Sequence, residues 1–227
     1  IDLSVADLRS TEVRDRDGRL LRAFTTRDGR WRLPVKVEDV DPRFLALLTL
    51  YEDKRFASHH GVDGMALARA AGQLVTSGRV VSGASTLTMQ VARLLEEGTT
   101  GQVSGKLRQM RVAWALERRL TKDQILGLYL SLAPYGGNLE GIRAATLSYF
   151  GKEPRRLTPA EIALLVAIPQ SPESRRPDRH QATATKARDR VLARAERDGL
   201  IDADQAQAAR SEVVPATRKA FPALAPH

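Results

Sequence analysis

Glu52-Asp53-Lys54-Arg55-Phe56-Ala57-Ser58-His59-His60-Gly61-Val62-Asp63 gathers three carboxylates, two histidines and two cations between two apolar segments. Phe44-Leu45-Ala46-Leu47-Leu48-Thr49-Leu50 leads into it, and another apolar, helix-like run follows it. So dense a polar knot is costly to bury. Knots of this kind persist where charged groups do chemistry. The plain alternative is a charged surface turn, with Glu52 in a helix-end salt bridge to Lys54 or Arg55.

Outward from the knot, the pattern is helical. Asp41 can cap and Pro42 can open a helix that carries the 44–50 run and delivers Glu52 to its end. Asp63 is a good N-cap for a helix from Gly64 to Ser77, closed by Gly78. After a loop at 80–84, Ser85 is read as the cap of a helix from Thr86 to about Glu97. On it Leu87, Val91 and Leu94 share one face, and Thr86, Gln90 and Arg93 another. Residues 98–105 read as a mobile loop. A helix from Lys106 to Arg119 follows, with Leu107, Met110 and Trp114 as its core stripe. Capping boxes at Thr121–Gln124 and Thr158–Glu161 open two more helices. Others are read over 139–150, over a basic 182–197 stretch taken as a solvated face, and after Asp202. Toward the N-terminus, Asp17-Gly18 and Asp28-Gly29 suit tight hairpins. The expected organisation is a β appendage over 1–36, a mainly α domain over 37–213 and a linker over 214–227.

The chain has 227 residues, 42% of them hydrophobic, enough for one sizeable core. It has no cysteine, which excludes a disulfide framework and thiolate metal sites. A net charge of +9 favours an anionic partner: nucleic acid, anionic lipid or a phosphorylated substrate. With aromatics at 5%, a stacking platform for single strands is poorly served. The basic residues are spread along the chain without a recognition motif, so nucleic acid is excluded. No apolar run reaches eighteen residues, so nothing reads as a membrane span. The chain opens on Ile1, and a removed leader or anchor upstream is the expectation.

Five ordered stretches resemble glycosyltransferase family 51, the peptidoglycan glycosyltransferases of class A penicillin-binding proteins and monofunctional transglycosylases. They are Glu52-Asp53-x-x-Phe56-x-x-His59-x-Gly61-x-Asp63, Gly83-Ala84-Ser85-Thr86-Leu87-Thr88-Met89-Gln90, Lys106-Leu107-Arg108-Gln109, Lys122 to Leu130, and Gly141 to Lys152. Together they cover about residues 35 to 200. The resemblance implies a lysozyme-like lobe with a small membrane-facing jaw. It also implies polymerisation of lipid II at the periplasmic face of the cytoplasmic membrane. There the 4-hydroxyl of an acceptor sugar attacks the anomeric carbon of the lipid-linked chain.

A sugar hydroxyl needs a general base, and Glu52 matches the family's. The leaving pyrophosphate is anionic and needs cations and N–H donors rather than an acid. Lys106 and Arg93 supply charge, and the helix start at Ser85-Thr86 supplies N–H groups. Gln90 and Asp53 are carried over as substrate-binding, and Gln109 as catalytic on the donor side. Phe56, His59, Gly61, Asp63 and Gly83 are carried over as structural. Glu52, Gln90, Arg93, Lys106 and Gln109 are expected to line one cleft, with Glu52 several ångströms from Lys106. Apolar residues in 64–81 are expected to dip into the membrane surface.

No metal ligands are read from spacing, though the resemblance admits a divalent cation, Mg or Mn, at the pyrophosphate. Partners implied are lipid II, the nascent glycan strand, an anionic membrane surface, and a transpeptidase domain or other cell-wall proteins. The chain itself has no Ser-x-x-Lys motif.

Four positions depart from the commoner family pattern: Met89 for glutamine, Arg93 for lysine, Gly105 for arginine and Gln109 for glutamate. The last removes a proton-transfer group. It leaves open a catalytically idle binding domain, and it speaks against a lysozyme-type hydrolase, which needs two carboxylates.

Overall fold

The computed structural model describes residues 2–77, 85–96 and 103–224. It is mainly helical. In order, its elements are α1 (Ser4–Asp7), β1 (Glu12–Arg14), β2 (Leu20–Ala23), β3 (Trp31–Arg32), α2 (Pro42–Glu52), α3 (Gly64–Ser77), α4 (Leu87–Leu95), α5 (Val103–Glu117), α6 (Lys122–Leu132), β4 (Leu139–Glu140), α7 (Ile142–Tyr149), α8 (Pro159–Ala167), α9 (Gln181–Arg197) and α10 (Ala203–Ser211). Contacts divide the chain into two units: Ile1–Val5 with Leu48–Tyr129, and Ala6–Leu47 with Leu130–His227.

This division differs from an appendage, a domain and a linker, for a physical reason. β1 and β2 form the expected hairpin, with Gly18 at positive φ. Gly29 makes the second expected turn, but β3 pairs in parallel with β4 rather than with residues 24–26. Arg32, buried, and Arg30, exposed, both reach Glu140, which holds that register. The C-terminal stretch is tied in as well. Phe221 stacks on Trp31 at 4.3 Å, and the Leu224 N–H donates to the Leu21 carbonyl at 2.9 Å.

In this second unit the core is built on α8, of which Ala160 and every residue from Ile162 to Ala167 are buried. Thr158 and Glu161 cap it reciprocally, with proline in the first turn. α9 is more than a solvated face: Arg188 is 2% exposed. Its guanidinium donates to the Arg210 and Glu212 carbonyls at the end of α10, at 2.9 and 2.5 Å. That satisfies acceptors a helix end leaves open.

In the first unit, α4 packs on α5. α4 buries Leu87, Val91 and Leu95, with Leu94 only half-buried. α5 departs most from expectation. Leu107 and Trp114 are 56% and 50% exposed, while Ala113 and Leu116 are buried. The reason lies at Gly61, at φ +88°, where an added Cβ would stand 2.7 Å from the Ala113 carbonyl oxygen. The Gly61 backbone approaches α5 so closely at Ala113 that only a small side chain fits there, and the buried side of the helix runs on through Leu116 while Leu107 and Trp114 face outward. Val103 to Gly105, assigned to a loop by the sequence, are helical. The rest of that expected loop, the 80–84 loop, the Gly78 stop and the expected site residue Gly83 lie outside the described residues.

Candidate active site

α2 ends at Glu52, where the chain turns before Asp63 opens α3. The Asp63 carboxylate accepts the Ala66 N–H at 2.9 Å and both ends of the Arg55 guanidinium, Nε at 2.9 Å. Arg55 is therefore engaged with Asp63. Glu52 is half-buried and accepts a hydrogen bond from the Gln90 side-chain amide on α4 at 2.9 Å.

Asp53, 6% exposed, is used differently. It accepts the Leu87 N–H at the start of α4 at 2.9 Å, and His59 Nε2 at 2.8 and 2.9 Å. The expectation that Asp53 binds substrate does not fit this geometry. The carboxylate is buried and committed to the protein, and it consumes one of the helix-start donors assigned to a phosphate.

The cap of α4 also shifts by one residue. Thr86, not Ser85, accepts the Met89 N–H, at 3.1 Å, and donates its hydroxyl to the Gly61 carbonyl at 2.6 Å. Ser85 is thereby released from capping, and its hydroxyl accepts the Lys106 ammonium from α5. Lys106 is half-buried. Burial first, and the Arg93 guanidinium second, hold its ammonium below the usual lysine range. Arg93 lies one turn beyond Gln90 on α4, and Gln109 one turn beyond Lys106 on α5, half-buried. Contacts thus join Glu52 to Gln90 and Lys106 to Ser85, with Arg93 acting on Lys106 by its charge. Gln109 joins them by helical register.

Three residues behind the knot were not singled out as functional from sequence. Glu117 at the end of α5, its side chain 5% exposed, accepts the Thr88 hydroxyl and the Lys122 ammonium, both at 2.6 Å. Lys122 also donates to the His59 carbonyl at 2.7 Å and lies 4.6 Å from the Phe56 ring centroid. Thr88 and Lys122 fall within two of the family-like stretches, but Glu117 falls in none. Among the described residues no group of three or more His, Cys, Asp or Glu could hold a metal ion. No described helix is long and apolar enough to cross a membrane.

A half-exposed carboxylate held by an amide, with a half-buried lysine and an arginine on α5 and α4, is a set of groups that can serve a group transfer with an anionic leaving group. The transglycosylase family model matches residues 17–196, and the chain belongs to that family. It is 47% identical over 210 residues to penicillin-binding protein 1C of Escherichia coli K12, covering 92% of this chain and 27% of that protein. It is 36% identical over 206 residues to penicillin-binding protein 1A of Pseudomonas aeruginosa, covering 91% and 25%. The crystal structure of penicillin-binding protein 1A from Haemophilus influenzae shares the fold. It gives a TM-score of 0.52 at 20% identity, over 94% of this chain and 22% of that one. The chain spans about a quarter of the length of these relatives.

Proposed function

We propose that this chain is a peptidoglycan glycosyltransferase domain that polymerises lipid II into β-1,4 glycan strands. The observation that carries the reading is the pairing of Glu52 with Gln90 alongside the Lys106–Ser85 and Arg93 cluster. Family membership supports it.

In this reading Glu52 takes the proton from the acceptor's 4-hydroxyl as its oxygen attacks the donor's anomeric carbon. The carbon–oxygen bond to the pyrophosphate breaks on the opposite face, so the configuration inverts from α to β. Lys106 and Arg93 take up the charge on the departing lipid pyrophosphate. Gln90 holds the base in orientation, and Gln109 hydrogen-bonds on the donor side without moving a proton.

The described donors around Lys106 are a hydroxyl and cations, which do not fit a protein-held Mg or Mn; any such cation would arrive on the pyrophosphate itself. An idle binding domain and a hydrolase are less well served by these groups.

The substrate's lipid places the reaction at a bilayer, and α5 offers a surface for it. Leu107 and Trp114 are exposed one heptad apart, flanked by exposed Arg108, Arg111 and Arg118. Apolar anchors beside cations suit the periplasmic face of an anionic cytoplasmic membrane. In the 64–81 segment, Met65 at the start of α3 is 70% exposed. A transpeptidase domain or other cell-wall proteins would work beside this domain.

The test is lipid II polymerisation read on a gel. Product strands that disappear with Glu52→Gln support the reading, and no product from the unaltered chain rejects it. Co-sedimentation with anionic vesicles, weakened by Trp114→Ser, tests the membrane face.

A further inference from the structure

We propose that the second unit carries a binding site for the carboxylate end of a short apolar peptide. The site is a cavity of about 380 Å³ beside the C-terminal stretch. That volume lies in the range of small-molecule sites. Its apolar walls come from Ala23 on β2, Leu139 on β4 and the stacked rings of Trp31 and Phe221. Its polar lining comes from Arg22, Ser148, Arg218 and Lys219, and no acidic side chain lines it. None of these residues belongs to the proposed active-site set, and the inference does not rest on the glycosyl transfer.

The three cations are not equivalent. The Arg218 guanidinium is already used: it donates to the Gly136 carbonyl at 2.7 Å and lies 3.2 Å from the Asp178 carboxylate. Arg22 lies over the Phe24 ring, 5.1 Å from its centroid. The Lys219 ammonium donates to the Phe150 carbonyl at 2.8 Å and meets no carboxylate among the described residues. A carbonyl takes one of its three N–H groups and leaves the charge uncompensated. The lysine is also held in place. Its backbone N–H donates to the Ser148 carbonyl at 2.6 Å. Its stem lies along Gly151, at φ +72°, where an added Cβ would stand 2.7 Å from the Lys219 Cδ. A cation set in advance loses little freedom when an anion arrives.

Ser148 supplies the second polar group. It is 2% exposed, and its hydroxyl has no hydrogen-bond partner among the described residues. A hydroxyl so buried costs free energy until something pairs with it. One ammonium and one hydroxyl match a singly charged carboxylate, whereas a phosphate calls for more donors. The aliphatic walls and the Trp31–Phe221 pair then take an apolar side chain next to that carboxylate. The C-terminal end of a peptide with an apolar last residue joins both features in one ligand.

The experiment uses Trp31 as its own reporter. The chain has two tryptophans, Trp31 and Trp114, so Trp114→Phe leaves the emission of Trp31 alone. The probes are N-acetyl-alanyl-leucine and its C-terminal amide, which differ in the carboxylate and little else. The acid, titrated into the millimolar range, should change Trp31 emission saturably. The amide should bind about ten-fold more weakly, the scale of one charged hydrogen bond. Absence of a saturable change with the acid, or equal affinity for acid and amide, overturns the proposal. In the same background Lys219→Met, which keeps the stem, should weaken the acid by about ten-fold. The difference should shrink as salt rises. Unchanged affinity in Lys219→Met rejects the site. If that variant does not fold, Ser148→Ala carries the test: a few-fold loss supports the site and unchanged affinity rejects it. Inorganic phosphate at the concentration of the acid should not displace it. Displacement would mean that the cavity reads charge alone, and it would overturn the peptide assignment.

Discussion

α2 has a carboxylate cluster at each end, and the two are built to opposite purposes. At its start Asp41 is 2% exposed and fully used. Its oxygens accept the Arg43 N–H at 3.0 Å, the Arg43 guanidinium at 2.7 and 3.1 Å, and the Leu157 N–H at 2.9 Å. Burial alone would raise its carboxyl. The hydrogen bonds from Arg43 and Leu157 outweigh it and hold the group below the usual carboxylate range. At the other end Glu52 stays half-exposed, with the neutral Gln90 amide among its donors. A saturated acceptor stabilises a fold and has nothing left for a substrate. A base must keep an oxygen reachable, which is the difference between a structural and a reactive carboxylate here.

The sharpest way to break the comparison is to neutralise each end in turn. Glu52→Gln should cost about 10²–10⁴-fold in polymerisation, the usual scale for a lost general base. Its melting temperature should barely move, because a half-exposed acceptor is replaced by an amide of the same shape. A Glu52→Gln protein that still polymerises at the original rate removes Glu52 from the chemistry. Asp41→Ala should do the reverse. It leaves the buried Leu157 N–H without its acceptor, takes the carboxylate from the Arg43 guanidinium and removes the cap at the start of α2, so urea unfolding should show about 2–3 kcal/mol less stability. The folded fraction should keep its turnover. Because the folded carboxyl lies below the unfolded value of about 3.9, Asp41's contribution is complete above that value and is lost as pH falls through the folded one. The stability gap between Asp41→Ala and the unaltered chain should therefore close in acid. A gap that persists at the lowest pH would mean that packing, not charge, is what Asp41 supplies.

The two ends also differ in how legible they were. Asp41 before Pro42 announces a helix start from local chemistry alone, and Asp63 and the Thr158 box do the same, because a cap is set by residues within one turn. The knot at 52–63 was visible as a polar cluster, but its wiring was not. Asp53 meets Leu87 and Thr86 meets Gly61 across more than twenty residues, and no periodicity reports such pairs. The same blindness explains α5. Its expected apolar stripe reads as core, yet the buried side is the one that carries Ala113, set against Gly61, and Leu116. It also explains β3, whose turn was legible and whose partner strand, 108 residues on (Trp31 to Leu139), was not.

A third comparison concerns the cations. Arg55 is closed on Asp63 and Arg188 on the end of α10, whereas Lys106 rests on a serine hydroxyl and feels Arg93. Lys106→Ala should weaken binding of a moenomycin-like phosphoglycolipid, which resembles the donor, by about ten-fold, the scale of one charged hydrogen bond. The loss should shrink as salt rises. With its ammonium held below the usual range, Lys106 loses its proton earlier than an ordinary lysine as pH rises. Binding by the unaltered chain should accordingly fade at a lower pH than a surface lysine would give, and the Lys106→Ala protein should lack that alkaline loss. Equal affinity in the two proteins would place the pyrophosphate elsewhere.

The smallest effect is expected at Gln109, and it separates two accounts of an amide at the position where the commoner pattern of the resembled family has an acid. Gln109 sits one turn past Lys106 on α5 and is half-buried. A carboxylate there would face a lysine already held below its usual range by burial and by Arg93. Two cations near the new charge would offset its desolvation, so Gln109→Glu should fold as well as the parent. Its turnover should stay equal or rise a few-fold, since the added group can move a proton that an amide cannot. The new charge should also raise the Lys106 ammonium toward its ordinary range, which moves the alkaline loss of donor binding to higher pH. If turnover instead falls clearly while the protein stays folded, the amide is tuned to this site. Lys106 would then have to keep its full charge for the departing pyrophosphate, and a neighbouring acid would compete with the substrate for it.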